Sequence, residues 1–158
     1  MPIELIRIDD RLIHGQVVIG WCPYIQPDHL VLCNDEVANN EWEREIYKEA
    51  ASDYQISICS VDETVKLLQS KELKNKKIFI IVDSPGVVVQ LLNLGIKIDK
   101  VNVGGMHYQA GKRKIAPFIY VDDEDITNFR FLKIHDIELE GRDVPICKSI
   151  DIAKSLGL

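Results

Sequence analysis

Short runs dominated by isoleucine, valine and leucine recur along the chain, each followed by a stretch whose apolar residues fall three or four apart. The runs are IELIRI (3–8), HLVLC (29–33), QISICS (55–60), KIFIIV (77–82), KVNV (100–103) and FIYV (118–121). Several are apolar without alternation, the pattern of strands covered on both faces. Between them, NEWEREIYKEAAS (40–52) sets Trp42, Ile46, Tyr47 and Ala50 at helical spacing, and SVDETVKLLQS (60–70) does so with Val61, Val65, Leu67 and Leu68. SPGVVVQLLNLG (84–95) opens on Ser-Pro and ends at Gly95, both helix-boundary signals. DDEDITNFRFLKI (122–134) opens on acids that suit the positive end of a helix dipole.

Strand alternating with helix predicts an α/β fold: a doubly wound, mainly parallel sheet with helices on both faces and right-handed crossovers. The tail IELEGRDVPICKSIDIAKSLGL (137–158) predicts an antiparallel edge of one or two strands and a short last helix. No Pro/Gly/Ser linker, repeat or low-complexity segment divides the chain, so residues 1–158 are expected to form a single domain. With 158 residues, 46% of them hydrophobic, that domain is large enough for a real core.

Charge narrows the function classes. A net charge of −6 disfavours nucleic acid and anionic membranes as partners, because both ask for a basic face. No apolar run approaches the ~20 residues that span a bilayer, and MPIELIRIDD has neither the basic start nor the apolar stretch of a signal peptide. A cytoplasmic location is the expectation. Cys22, Cys33, Cys59 and Cys147 are scattered without a C-x-x-C pair, which predicts reduced, mostly buried thiols. Cys22 stands nearest the N-terminal loop. No H-E-x-x-H, Walker A or G-x-S-x-G motif occurs, so neither a metal nor a cofactor is predicted.

In open α/β sheets, ligands bind beyond the carboxyl ends of the strands. Three loops fall at that edge. The first, IDDRLIHGQ (8–16), crowds Asp9, Asp10, Arg11 and His14 into six positions. Histidine serves as base, ligand or covalent nucleophile. Arginine offers a planar, always-charged fork suited to phosphate oxygens. A carboxylate from Asp9 or Asp10 can fix the imidazole tautomer by accepting one ring N–H, or can instead hold Arg11. Gly15 gives backbone freedom beside the ring, and Gln16 with Val17 opens a helix whose first N–H groups favour an anion. The alternative is a solvated turn with incidental charges.

The second loop, VDSPG (82–86), places Ser84 where it either contacts a phosphoryl group or, like Asp83, caps the next helix. In the third, VGGMHYQAGKRK (103–114), adjacent Gly104 and Gly105 form either an anion-binding nest or an ordinary tight turn. His107 reads as structural, as do His29 and His135. Lys112, Arg113 and Lys114 make a basic cluster, either solvated surface or a patch for an acidic partner or phosphate.

Taken in order, R-x-D-x-R-L-x-H-G-Q-V at residues 7–17, NVGGMH at 102–107 and VDDED at 121–125 resemble the IIB component of the mannose/fructose/sorbose-type phosphoenolpyruvate-dependent sugar phosphotransferase system (PTS). The resemblance runs over nearly the whole chain. It implies a doubly wound sheet with the active loop after the first strand. It implies a protein-N(pi)-phosphohistidine–sugar phosphotransferase in which His14 carries the phosphoryl group, usually on Nδ1. Phosphorylated IIA would be the donor, and a sugar presented by the membrane IIC/IID permease the acceptor. Arg11 would neutralise phosphoryl oxygens in the transition state, and Asp9 would orient the loop. No IIA domain is evident in the chain, so a separate donor protein is expected. The stretch WCPYIQPDHL (21–30), with two prolines, departs from a smooth helix-to-strand passage. A regulatory phosphoprotein of the same fold, and an unrelated small-molecule binding module, are the competing readings. The sequence leaves the sugar open, and leaves room for a homo-oligomer.

Overall fold

Along β1 (Ile3–Asp9), Ile6 and Ile8 point to one side of the sheet and Arg7 and Asp9 to the other, because successive strand residues alternate faces. All four are buried. One strand thus feeds an apolar layer on one face and a buried polar group on the other, and the architecture follows from that division.

The structure is a computed structural model describing residues 3–158. After β1 the chain makes a single π-helical segment (Gln16–Trp21) that runs into α1 (Cys22–Ile25). There follow β2 (His29–Cys33), α2 (Asp35–Ala38), α3 (Glu41–Ala50), β3 (Ile56–Cys59), α4 (Val61–Gln69), β4 (Ile78–Val82) and α5 (Pro85–Asn93). The second half adds β5 (Lys100–Gly105), β6 (Arg113–Ala116), β7 (Ile119–Val121), α6 (Asp123–Ile134), β8 (Glu138–Gly141), β9 (Ile150–Asp151) and α7 (Ile152–Leu156).

Seven strands form one sheet in the order β3-β2-β4-β1-β5-β8-β9. All neighbours are parallel except β8 and β9, which pair antiparallel through Glu140–Asp151 and Gly141–Ile150. The fold is therefore α/β, mostly parallel, with an antiparallel edge near the C-terminus. The chain leaves β1 toward β2 on one side, returns through β4, and crosses β1 to reach β5. The carboxyl end of β1, between β4 and β5, is the switch point where such sheets leave a crevice.

Two apolar layers flank the sheet. One joins Ile6, Ile8, Ile78, Ile80, Val82, Val101 and Val103 to Val88, Leu91, Phe129 and Leu132 of α5 and α6. The other joins Leu30, Leu32, Phe79 and Ile81 to Leu12, Ile13, Val17, Trp21, Cys22 and Ile25. That second layer stops at β1. Beyond it, on β1, β5 and β8, the buried positions of the same face are Arg7, Asp9, Asn102 and Glu140.

Three expectations change. The run at 118–121 is not in the main sheet. It is β7, paired antiparallel with β6 in a separate hairpin that sits over the end of β5 through Met106. The charged Arg113 and Lys114 could not be covered on both faces, and the hairpin leaves them exposed. Second, α3 buries none of its residues: Trp42 is 76% and Ile46 50% exposed despite their helical spacing. Third, α2, capped by the Asn34 side chain on the Val37 amide, was not signalled, since four residues are too few to display a period. The proline-bearing stretch 21–30 resolves into α1, a left-handed Gln26 (φ 52°) and the entry to β2.

Helix α6 begins with a reciprocal cap: Asp122 Oδ1 accepts from the Asp125 amide at 2.9 Å, and Asp125 Oδ2 accepts from the Asp122 amide at 3.1 Å. Asp122→Ala is expected to cost about 1 kcal/mol. For a chain of this length that is ~2–4 °C in Tm by calorimetry. An unchanged Tm would show that the cap contributes nothing.

Candidate active site

The segment that leaves β1 turns at once. The Leu12 amide donates to the Asp9 carbonyl at 2.9 Å, and Leu12 takes the left-handed conformation (φ 60°). For a leucine that conformation costs on the order of 1–2 kcal/mol. Burial of the Leu12 and Ile13 side chains in the second apolar layer offsets it. With those two side chains turned inward, Arg11 and His14 are left on the crevice side, 37% and 18% exposed.

Asp9 is the centre of what they form. Its side chain has no exposed surface. Oδ2 lies 2.7 Å from His14 Nε2 and accepts from Arg7 Nη2 at 3.1 Å and Arg11 Nη2 at 3.2 Å. Oδ1 accepts from the Arg11 backbone amide at 3.0 Å and Arg11 Nε at 3.2 Å. Burial alone would raise the Asp9 pKa. The hydrogen bonds from His14 and Arg11 and the charge of Arg7 prevail, and hold it well below the usual carboxylate range. An ionised carboxylate only accepts, so His14 carries its proton on Nε2. Nδ1 is then the ring's lone pair, and it faces the Gln16 backbone amide at 3.3 Å.

Arg7 supports Asp9 from below, fully buried. Nη1 donates to Asn102 Oδ1 (2.7 Å) and to the Arg142 carbonyl (3.0 Å), and Nη2 donates to Asp9 and to the Asp143 carbonyl (2.9 Å). Nε alone lacks a partner. The guanidinium lies 5.1 Å from the centre of the Trp21 ring, whose Nε1 also donates to the Asp143 carbonyl. β1, β5 and the segment after β8 are therefore joined through one side chain.

The chain matches the family described as PTS system sorbose subfamily IIB component over residues 3–158. It belongs to that family. The IIB chain is 37% identical, over 145 residues, to the N-acetylgalactosamine-specific phosphotransferase enzyme IIB component 1 of Escherichia coli (strain K12), covering 90% of this chain and 91% of that protein. The crystal structure of the IIBSor domain of the sorbose permease from Klebsiella pneumoniae superposes with a TM-score of 0.94 at 30% identity, covering 99% and 97% of the two chains. The mannose-specific EIIAB component of E. coli (strain K12) is 31% identical over 160 residues, which is 99% of this chain and 50% of that protein.

In this IIB component the predicted residues divide into those at the cluster and those beside it. His14, Asp9 and Arg11 meet directly, and Gln16 joins them by accepting from Arg11 Nη2 at 2.7 Å. Asp10 turns away. Its carboxylate accepts from the His107 amide at 2.6 Å and pairs with His107 Nδ1, tying the loop after β5 to the loop after β1. Ser84 stands at the start of α5 without a side-chain capping bond, and Asp83 is engaged by Asn34 Nδ2 instead. Gly15 has helical angles (φ −52°, ψ −44°), so no special backbone freedom is used there.

Gly104 and Gly105 form no anion nest. They lie in β5 and neither has a positive φ. A Cβ on Gly104 would fall 1.8 Å from Arg7 Cζ, and one on Gly105 2.8 Å from Asp9 Oδ1. The pair makes room for the guanidinium and the carboxylate. The first helical amides are not free for an anion either, since Val17 and Val18 both donate to the His14 carbonyl. Lys112 pairs with Asp125 at 3.0 Å, separating it from Arg113 and Lys114. Cys22 is buried, with its thiol pushed up to about 11 by burial, while Cys147 is exposed.

Asn102, Trp21, Arg142 and Asp143 escaped the sequence reading. Asn102 left a usable trace, as a polar residue flanked by Val101 and Val103 in the run KVNV. Arg142 left none, because it contributes a backbone carbonyl, and neither did Asp143, whose carbonyl accepts from Arg7 Nη2 and whose carboxylate lies 4.0 Å from that nitrogen and accepts from Gln16 Nε2 at 3.5 Å. Among the described residues no cluster has metal-ligand composition, and no helix is long and apolar enough to cross a membrane.

Two outcomes follow from this packing. Gly104→Ala is expected to destabilise by about 3 kcal/mol in urea denaturation, the upper range for an overpacked core, because the obstructing group is the held Arg7 and not a mobile side-chain tip. Asp9→Asn leaves Arg7 with only the partly exposed Asp143 carboxylate, 4.0 Å away, as a counter-charge and is expected to cost ~3 kcal/mol at neutral pH. A carboxylate whose folded pKa is depressed stabilises above its unfolded pKa, ~3.9, and that stabilisation fades as pH falls toward the folded value. The gap between parent and Asp9→Asn should stay constant down to about pH 4 and narrow below it. A gap that widens on acidification would contradict the assignment.

Proposed function

We propose that the protein is a cytoplasmic phosphocarrier of sugar uptake. His14 accepts a phosphoryl group from a phosphohistidine on a IIA partner and passes it to a sugar presented by the membrane IIC/IID permease. The observation that carries this reading is the 2.7 Å contact between His14 Nε2 and a fully buried, ionised Asp9. It fixes the tautomer and leaves Nδ1 as the nucleophile. The Nδ1 lone pair forms the new N–P bond while the donor's N–P bond breaks, its electron pair returning to the donor imidazole. The Nε2 proton stays on His14, and the Asp9 carboxylate balances the positive charge that the phosphorylated ring acquires.

Phosphoryl transfer asks mainly for positioning and for charge opposite the equatorial oxygens. Arg11 suits that role. Asp9 and Gln16 hold its guanidinium from two sides while more than a third of the side chain remains open to solvent. The Ser84 hydroxyl, at the end of the adjacent strand β4, is a further candidate contact. The mannose-specific relative whose name joins A and B, and of which this chain matches half, supports a IIA protein as donor. The relatives named for sorbose and N-acetylgalactosamine support a sugar as the final acceptor.

Incubation with phosphorylated IIA should place one acid-labile phosphoryl group on the parent and none on His14→Ala. Equal labelling of the two would overturn the reading. Arg11→Ala should retain the fold and slow transfer by about 10²–10³, the usual loss for one charge-assisted stabiliser. Arg11→Lys should recover only part of the rate, since an ammonium cannot reproduce the fork. Rapid-quench labelling measures both.

A further inference from the structure

Eight of the nine glycines have a reason to be glycine, or at least a neighbour. Gly95, Gly111 and Gly157 have positive φ. Gly104, Gly105 and Gly141 would each place a Cβ 2.8 Å or less from another atom. A Cβ on Gly20 or Gly86 would meet neighbouring side chains at ordinary van der Waals distance. Gly15 alone combines helical angles with open space at the Cβ position, its own chain neighbours apart. The fold gains nothing from it, because glycine at a helical position is less stable than alanine. It nonetheless stands between His14 and Gln16, whose amide faces His14 Nδ1. The chain does not cover this face itself, as Ile19, one turn further on, is 78% exposed.

We propose that Gly15 is a clearance residue for a folded protein donor: its missing side chain lets the donor's surface come within transfer distance of His14 Nδ1. This rests on the phosphocarrier reading above and names the kind of partner that the site admits. A phosphohistidine has a short side chain, so two folded surfaces must nearly touch for its phosphorus to reach another imidazole. A methyl group on the residue next to the ring, on a helix face that the chain leaves open, would narrow that gap. A small phosphoryl donor has no such surface and can reach Nδ1 past it.

The test compares two donors on the parent, Gly15→Ala and Gly15→Leu. Phosphoramidate transfers its phosphoryl group to Nδ1 as its own P–N bond breaks and ammonia leaves with the bonding pair. A phosphorylated IIA protein is the second donor. With phosphoramidate all three proteins should label at the same rate, and the Tm of Gly15→Ala should be equal to or above the parent's. With phospho-IIA, Gly15→Ala should be slower by about tenfold, the equivalent of one mild steric clash, and Gly15→Leu slower still. Equal rates with phospho-IIA would overturn the clearance role. Equal losses with both donors would also overturn it, by showing that the added carbon disturbs His14 itself. If the parent takes label from phosphoramidate but from no phospho-IIA, a protein donor is excluded and the clearance role falls with it. If the parent takes label from neither, the phosphocarrier reading itself fails.

Discussion

A carboxylate with no exposed surface has to be met by donors and positive charge on nearly every side, and in this chain that requirement falls on Asp9. Removing one ionised side chain from water costs several kcal/mol even after relaxation, so such a group persists only inside a complete set of partners. Here the set is Arg7 from below, Arg11 from the side, a backbone amide, and His14 above. The arrangement of the crevice follows from satisfying that one charge. The histidine is oriented because Asp9 has a lone pair left for it, and the exposed arginine is held because Asp9 takes two of its donors.

The same requirement explains why the sheet is not apolar throughout. Its second face changes character at β1, where leucine and isoleucine give way to Arg7, Asp9, Asn102 and Glu140. Arg7 could not be buried there on its own. It needs two carbonyls from the segment after β8, an amide oxygen from β5, and an indole over its face. It also needs a flat strand beneath it, which Gly104 provides. The site is thus set by the fold itself, which is the condition under which fixed charges would contribute most to the transfer proposed above.

Much of this was legible in the residues. The Ile/Val runs located six strands to within a residue or two, because strands buried on both faces leave a dense apolar signature. They did not reveal that 118–121 pairs with the charged 113–116 outside the main sheet, since strand propensity carries no information about the pairing partner. The helical spacing of Trp42 and Ile46 signalled a helix correctly but not its exposure. In the site, the crowding of Asp9, Arg11 and His14 was the clearest signal. The sequence could not divide labour between Asp9 and Asp10, because both lie within reach of His14 along the chain. Strand alternation separates them: Asp9 points into the sheet face and Asp10 leaves it for His107. The paired glycines misled in a different way. An alignment of two small residues looks the same whether the space is meant for a ligand or for the protein's own side chains.

The anchoring of Arg7 on Arg142 and Asp143 also has a consequence for when the protein becomes competent. The two ends of that contact are separated by 135 residues of chain. Synthesis makes the loop bearing His14 more than a hundred residues before the carbonyls that fix its foundation. Strand β5, which completes the floor beneath Arg7, also follows that loop. A nascent chain therefore displays the histidine long before it can hold it in register, and a product interrupted between the two carries the motif without its buried foundation.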